Sequence, residues 1–173
     1  MQIRRIQVDD VPDFLALWAK VYSEGAFLSK GPPPESLVLQ VVERVVKEQI
    51  PNFVAIDVQE LVGAVEVFPG SLCGFSDENA DRRGYLGIQL ALVYRGKGIG
   101  RKLMQAAIDD AKRYGFEVIE LTVFQSNFAA IELYEKLGFK LTGLGKSVIL
   151  PVGLATTEQH MALSLKNVSK IEK

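Results

Sequence analysis

The feature that most constrains the fold is a glycine-rich turn, Arg95-Gly96-Lys97-Gly98-Ile99-Gly100, that joins an apolar run to a helical pattern. The apolar run extends from Tyr85 to Val93, and the helical pattern extends from Arg101 to Tyr114. Glycine adopts positive φ angles and has no Cβ, so the backbone of such a turn can approach an anion closely. The free N–H groups and the positive dipole end of the following helix point at the same place. The sequence therefore predicts a strand, a turn and a helix that bind a pyrophosphate.

The spacing of the glycines restricts which pyrophosphate this turn can bind. The dinucleotide pattern G-x-G-x-x-G fails because Arg101 stands at its last glycine position. The P-loop pattern G-x-x-x-x-G-K-[ST] fails because Lys140 stands where the first glycine before Gly145-Lys146-Ser147 is required. The spacing that fits is R-x-x-G-x-G, formed by Arg95, Gly98 and Gly100.

A second motif follows the turn at the distance of one helix and one strand. An apolar stretch runs into Asn127, a helical segment carries Tyr134, and Gly138-Phe139 opens the next strand. Together the two motifs resemble those of the GCN5-related N-acetyltransferases (GNAT), in which the first motif binds coenzyme A. The resemblance extends from residue 3 to 165 and is most specific between residues 85 and 145.

This resemblance implies a fold and an activity. The expected fold is an α/β domain with a mixed, mostly antiparallel sheet of about seven strands and about four flanking helices. Strands 4 and 5 are expected to splay apart, which leaves a wedge for the pantetheine arm of coenzyme A. The implied activity is direct transfer of an acetyl group from acetyl-CoA to a primary amine of a small molecule in a ternary complex.

The rest of the chain is assigned from hydrophobic periodicity and turn residues. It predicts a first strand near residues 3–8, helices near 12–21, 35–49 and 127–137, and a hairpin of 53–57 with 61–68. Asn127 is expected to cap the last of these helices. A turn-rich segment over 69–84, a strand over 118–124, and a final strand pair near 139–144 and 159–165 are also predicted. Residues 1–165 are expected to form a single acetyltransferase domain, and residues 166–173 a polar tail.

The resemblance also implies the residues that contact coenzyme A. Backbone amides of the glycine turn are expected to bind the pyrophosphate, with added charge from the cationic side chains of the turn. The backbone of the preceding strand is expected to pair with the pantetheine amides. The implied set is Ile88, Gln89, Leu90, Arg95, Gly96, Lys97, Gly98, Ile99, Gly100, Arg101 and Asn127.

Tyr134 is the implied catalytic acid. It stands seven residues after Asn127, which is two helical turns, so both side chains share one face of the helix. The base is left open. In the branch of the family that acetylates protein N-termini, a glutamate occupies the position of Thr122, which cannot accept a proton at neutral pH. Glu66 and Glu120, acting directly or through water, are the alternatives.

The acceptor amine is also left open. The stretch from 119 to 144 is most similar to the amino-acid N-acyltransferase branch, but Ala155 and Thr157 stand where that branch commonly has tyrosine and aspartate. The alternatives are a protein N-terminal acetyltransferase and an antibiotic or polyamine acetyltransferase. A non-catalytic acyl-CoA sensor is the alternative from another class, and Tyr134 argues against it.

Composition excludes several classes of protein. A formal charge of −1 and the lack of a basic stripe argue against a nucleic-acid partner. No apolar run approaches the ~18 residues that predict a membrane helix. One histidine and one cysteine make a transition-metal site improbable. The lone thiol of Cys73 and the lack of an apolar leader favour a cytoplasmic protein. A homodimer is left open.

Overall fold

The computed structural model describes residues 1–166, which form one seven-stranded sheet and four α-helices. The strands are β1 Gln2–Arg5, β2 Asn52–Asp57, β3 Glu60–Pro69, β4 Arg83–Leu90, β5 Val118–Phe124, β6 Lys140–Ile149 and β7 Ala155–Ser164. The helices are α1 Val11–Ser23, α2 Glu35–Glu48, α3 Ile99–Tyr114 and α4 Phe128–Lys136. All of the predicted polar tail except Lys166 lies outside the described residues.

The strand order is β1-β2-β3-β4-β5-β7-β6, and every neighbouring pair is antiparallel except β4 and β5. The predicted mixed, mostly antiparallel sheet is therefore confirmed. Helices α1 and α2 pack on one face through Leu17 and Val42, against Val54 and Ala64 of the sheet. Helices α3 and α4 pack on the opposite face, in a second core whose members include Val65, Leu103, Met104, Ile119 and Tyr134. These two sides are called the α1/α2 face and the α3/α4 face below.

The two parallel strands stay together over a short distance only. Arg83–Tyr85 of β4 pairs with Val118–Glu120 of β5, and the pairing ends there. Beyond this point β4 remains hydrogen-bonded to β3 as far as Leu90, whereas β5 remains hydrogen-bonded to β7 as far as Phe124. Each strand thus remains paired with its antiparallel neighbour, whereas the parallel pairing ends, so a wedge opens between β4 and β5. This is the predicted splay of strands 4 and 5.

The structure corrects the predicted ends of several elements. The strand predicted to reach Val93 ends at Leu90, and Leu92–Tyr94 forms a 3₁₀ turn. The predicted end was wrong because it assumed that the apolar side chains of Leu92 and Val93 are buried, whereas they are 63% and 69% exposed. Helix α3 begins two residues earlier than predicted, at Ile99. The final strand pair is longer than predicted, because polar residues and a glycine interrupt the apolar signal of its added segments, 145–149 and 155–158.

Candidate active site in the wedge between two strands

The glycine turn begins where β4 ends, at the open end of the wedge. Gly96 and Gly98 have φ angles of +72° and +80°, in the region that disfavours side chains. A Cβ at either position would meet no atom within 4 Å, so the backbone, and not packing, requires glycine here. The first hydrogen bond of α3 runs from the N–H of Lys102 to the oxygen of Gly98. The N–H groups of residues 99–101 are therefore free of helical partners, as an anion site requires.

The three cations of the turn differ in their surroundings. Lys97 and Arg101 are exposed, and Lys97 Nζ lies 5.8 Å from the centre of the Tyr94 ring. Arg95 is held in place by bonds of 2.6 and 2.7 Å to the carboxylate of Glu24. Its Nε donates to the oxygen of Leu90 at 2.9 Å. Arg95 thus ties the turn to the segment after α1, and its contact with a pyrophosphate stays a prediction.

The edge of β4 that faces the wedge carries unpaired backbone groups. The N–H of Ala91 donates to the oxygen of Val62 in β3 at 2.9 Å. Backbone groups alternate in direction along a strand, so those of Gln89 also face β3 and those of Ile88 and Leu90 face the wedge. Because the oxygen of Leu90 accepts from Arg95, the Leu90 N–H is the polar group that this residue presents to the wedge.

Helix α4 begins at the far side of the wedge. The Oδ1 atom of Asn127 accepts from the N–H of Ala130 at 3.3 Å, so Asn127 caps the helix as predicted. Tyr134 is 6% exposed, and its ring lies 5.9 Å from that of Phe139 in the α3/α4 core. Burial, together with the negative charge of Glu66, raises the pKa of Tyr134 above its usual range. Its hydroxyl therefore stays protonated at neutral pH, as a hydrogen-bond donor must.

Glu66 is a carboxyl-bearing residue of β3 that adjoins the strand with the open edge, β4. It lies on the α1/α2 face of β3, opposite Gly87 of β4. The residue as a whole is half-buried, but its Oε2 is buried and has no hydrogen-bond partner within residues 1–166. Burial raises the pKa of Glu66 to about 8. Sequence reasoning treated Glu66 and Glu120 alike, and burial is what distinguishes them.

A second buried acceptor lies on the same face. Gln89 is 6% exposed, and its Oε1 has no hydrogen-bond partner among the described residues. Gln89 follows Gly87 by two residues, so its side chain projects on the same side of the sheet as that of Glu66. Two unpaired oxygens beside an open strand edge are suited to a ligand that donates hydrogen bonds, such as an amine.

A cavity of about 520 Å³ opens where β4 and β5 separate. Its lining includes Phe75, Tyr85, Glu120, Thr122, His160 and Met161. Thr122 Oγ1 lies 3.0 Å from Nδ1 of His160, which β7 places directly opposite. Burial and the neighbouring Glu120 carboxylate raise the pKa of Tyr85 to about 12. Sequence reasoning missed His160 and Tyr85, because only the strand register brings them to Thr122 and Glu120.

Residues 1–166 contain no cluster of three His, Cys, Asp or Glu side chains that could hold a metal ion. None of their helices combines the length and the apolar character needed to cross a membrane.

Structural comparison identifies the fold. A putative acetyltransferase from Salmonella typhimurium, yncA, solved with its cofactor acetyl-CoA, superposes with a TM-score of 0.84 at 21% identity, over 99% of this chain and 98% of that one. A phosphinothricin acetyltransferase from Sinorhizobium meliloti, in complex with acetyl-CoA, superposes with a TM-score of 0.82 at 20% identity, over 99% of this chain and 91% of that one. At these identities the likeness concerns the fold.

Sequence comparison identifies the family. The chain is 39% identical over 94 residues to N-alpha-acetyltransferase 30 of Schizosaccharomyces pombe, covering 51% of this chain and 56% of that protein. It is 30% identical over 141 residues to an uncharacterized N-acetyltransferase of Methanocaldococcus jannaschii, covering 80% and 60%. The chain thus spans less than two thirds of the length of these relatives. The model of the acetyltransferase (GNAT) family matches residues 18–139, and because this is well over half of the 173 residues, the chain belongs to that family.

Proposed function

We propose that this protein transfers the acetyl group of acetyl-CoA to a primary amine of a small molecule by direct attack in a ternary complex. The observation that carries the proposal is the open edge of β4. It presents the Leu90 N–H inside the wedge, with the glycine turn at the mouth and Tyr134 buried on the far side. Family membership supports the same activity. Residues 1–165 would form the single catalytic domain.

The residues present fit coenzyme A. The free N–H groups of residues 99–101 and the unobstructed surface of Gly96 and Gly98 suit a pyrophosphate. Lys97 and Arg101 add positive charge, and Asn127 lies across the wedge at the start of α4. The unpaired backbone groups of Ile88 suit the pantetheine amides, which would bind along β4 as a neighbouring strand does, and the Leu90 N–H remains for the thioester carbonyl.

The thioester supplies an activated acetyl group, and the protein residues stabilise the developing charge and transfer the protons. The Leu90 N–H donates to the carbonyl oxygen as negative charge develops on it. Glu66 accepts the proton of the amine, directly or through water. With a pKa of about 8, Glu66 is a stronger base than an ordinary carboxylate and is partly ionised near neutral pH.

Tyr134 stabilises the departing thiolate. A phenol has a pKa of ~10 and a thiol ~8.5, so proton transfer toward the thiolate is uphill by roughly 2 kcal/mol in water. Burial raises the pKa of Tyr134 further and increases this difference. We therefore assign Tyr134 first as a hydrogen-bond donor to the sulfur. As the C–S bond breaks, Tyr134 becomes the proton donor.

The names of relatives span several acceptors. They include spermine/spermidine N(1)-acetyltransferase of Bacillus subtilis and streptothricin acetyltransferase of Streptomyces lavendulae, besides the N-alpha-acetyltransferase. The amino-acid acceptor expected from the sequence pattern is therefore one alternative among several. Ala155 and Thr157, which depart from that pattern, lie at the start of β7.

The test is release of thiol from acetyl-CoA in the presence of a mixed panel of amines, with the acetylated product identified by mass spectrometry. Thiol release that depends on an amine supports an acetyltransferase. Tight binding of acetyl-CoA without turnover of any amine would instead support the acyl-CoA sensor.

A further inference from the structure

The cavity where β4 and β5 separate has an acidic and aromatic lining. Glu120 faces into it, and the rings of Phe75 and Tyr85 stack at one wall with their centres 4.8 Å apart. Tyr85 and Glu120 are direct neighbours in the last pair of the β4–β5 ladder. The carboxylate of Glu120 is therefore held at the inner end of the wedge, beside the region where the acceptor must attack.

Other acidic residues lie around the cavity. Glu66 lies on the same face of the sheet, one strand beyond β4. Glu158 Oε2 and His160 Nε2 lie 2.7 and 2.8 Å from the position that a Cβ would take at Gly145, so this further carboxylate adjoins the His160 ring. The Nδ1 atom of His160 is already engaged by Thr122.

The guanidinium of Arg83, which adjoins Phe75 of the cavity wall, is engaged by another residue. Arg83 contacts the carboxylate of Asp77, and its Cζ lies 5.5 Å from the centre of the Phe75 ring. It is not part of the cavity lining. No Lys or Arg among residues 1–166 lines the cavity. A carboxylate entering it would thus meet Glu120, whereas an ammonium would meet a carboxylate and an aromatic wall.

We propose that this cavity binds a second, positively charged amino group of the acceptor, so that the preferred substrates are diamines or larger polycationic amines and not free amino acids. The inference rests on the proposed acetyltransferase function. One amino group is acetylated at the wedge while another donates hydrogen bonds to Glu120. A volume of about 520 Å³ lies within the range of small-molecule sites and suits a short polyamine.

The experiment uses three acceptors that each contain four carbons and differ at the far end. Putrescine carries a second ammonium there, butylamine carries a methyl group, and γ-aminobutyrate carries a carboxylate. We expect kcat/KM to be about 10-fold or more higher for putrescine than for butylamine, as for a hydrogen bond to a charged group. We expect γ-aminobutyrate, alanine and methionine to be poorer still because their carboxylates approach Glu120.

A substitution assigns the preference to one residue. Glu120→Gln should remove most of the difference between putrescine and butylamine, and Glu120→Lys should favour γ-aminobutyrate over putrescine. Glu117→Gln is the matched control, since Glu117 lies just before β5 and pairs with Lys166 and Arg82 outside the cavity. Glu117→Gln should leave the ratio of kcat/KM for putrescine to kcat/KM for butylamine unchanged. The KM for acetyl-CoA and the circular dichroism spectrum report whether each variant is folded.

The outcomes separate the two proposals. Equal turnover of putrescine and butylamine by the unmodified protein, or better turnover of a free amino acid, overturns the assignment of the cavity while the acetyltransferase function stands. An equal loss for all acceptors in Glu120→Gln makes Glu120 a general base or a structural residue and also overturns it. A lack of thiol release with every amine overturns the acetyltransferase function itself.

Discussion

The carboxylate of Glu66 occupies the space beside Gly87 in which any other residue would carry its Cβ. The two residues are opposite one another in the β3–β4 ladder, and a Cβ at Gly87 would collide with Oε1 of Glu66. Gly87 belongs to neither sequence motif. Its small size lets a carboxylate lie flat against the sheet next to the open edge of β4, and burial there makes Glu66 a stronger base.

The first prediction concerns this contact. Gly87→Ala should displace Glu66 and lower kcat by about 10- to 10²-fold, a part of the usual contribution of a general base. The KM for acetyl-CoA should change little. Gly31→Ala is the control, because its Cβ would have only ordinary contacts, at 3.4 Å and beyond, with the Tyr22 ring. Steady-state kinetics of both variants, with circular dichroism, would check this. Full activity in Gly87→Ala would show that the position of Glu66 is unimportant.

The second prediction concerns the base. Because the pKa of Glu66 is raised to about 8 and the ionised form accepts the proton, kcat/KM should rise with pH and level off above about 8. Glu66→Gln should lower kcat/KM by about 10²- to 10⁴-fold at pH 8. The kcat/KM of the unmodified protein is divided by that of Glu66→Gln at each pH, with the same acceptor for both. The titration of the acceptor affects both values equally and drops out of this ratio. A constant ratio between pH 6 and 9 would exclude Glu66 as the base.

The third prediction concerns stability. A carboxyl whose pKa is 4.5 in the unfolded chain and about 8 in the fold favours the folded state at low pH. That stabilisation is complete below pH 4.5 and is lost as the pH rises to about 8, since the unfolded chain ionises first. Glu66→Gln should therefore raise Tm at pH 9 by at least about 3 °C relative to its effect at pH 5. Thermal melts of both proteins at pH 5 and pH 9 check this. An equal change in Tm at the two pH values would contradict the raised pKa of a buried Glu66 carboxyl.

The fourth prediction concerns Tyr134. Tyr134→Phe should lower kcat by about 10²- to 10⁴-fold, because the thiolate loses its donor. The ring still fills the core beside Phe139, so the fold and the KM for acetyl-CoA should be retained. Tyr114→Phe, at the exposed end of α3, is the control. Unaltered kcat in Tyr134→Phe would leave Tyr134 with a packing role alone.

The fifth prediction concerns the glycine turn. Gly98→Val should abolish binding of coenzyme A, measured by titration calorimetry, because a side chain at φ +80° both strains and blocks the surface of the turn. Gly115→Val imposes a similar strain at φ +107° at the other end of α3. It should destabilise the protein without changing the affinity. Equal affinity in the two variants would remove the turn from the binding site.

The sequence by itself determined the elements that local chemistry specifies. The glycine spacing from 96 to 100 predicted a strand, a turn and a helix, and the structure confirms them with positive φ angles at Gly96 and Gly98. The cap at Asn127 and the hairpin of β2 and β3 were predicted as well. These features depend on residues close together in the chain, so a pattern of letters suffices to identify them.

The tertiary structure alone decided the surroundings of each functional side chain. Glu66 and Glu120 are both glutamates on strands, and burial beside Gly87 is what raises the pKa of Glu66. The engagement of Arg95 by Glu24 joins residues 71 positions apart. His160 reaches Thr122 through the pairing of β5 with β7. Burial and charge at a site come from strands that are distant in the chain, and so the register of the sheet determines them and no local pattern carries them.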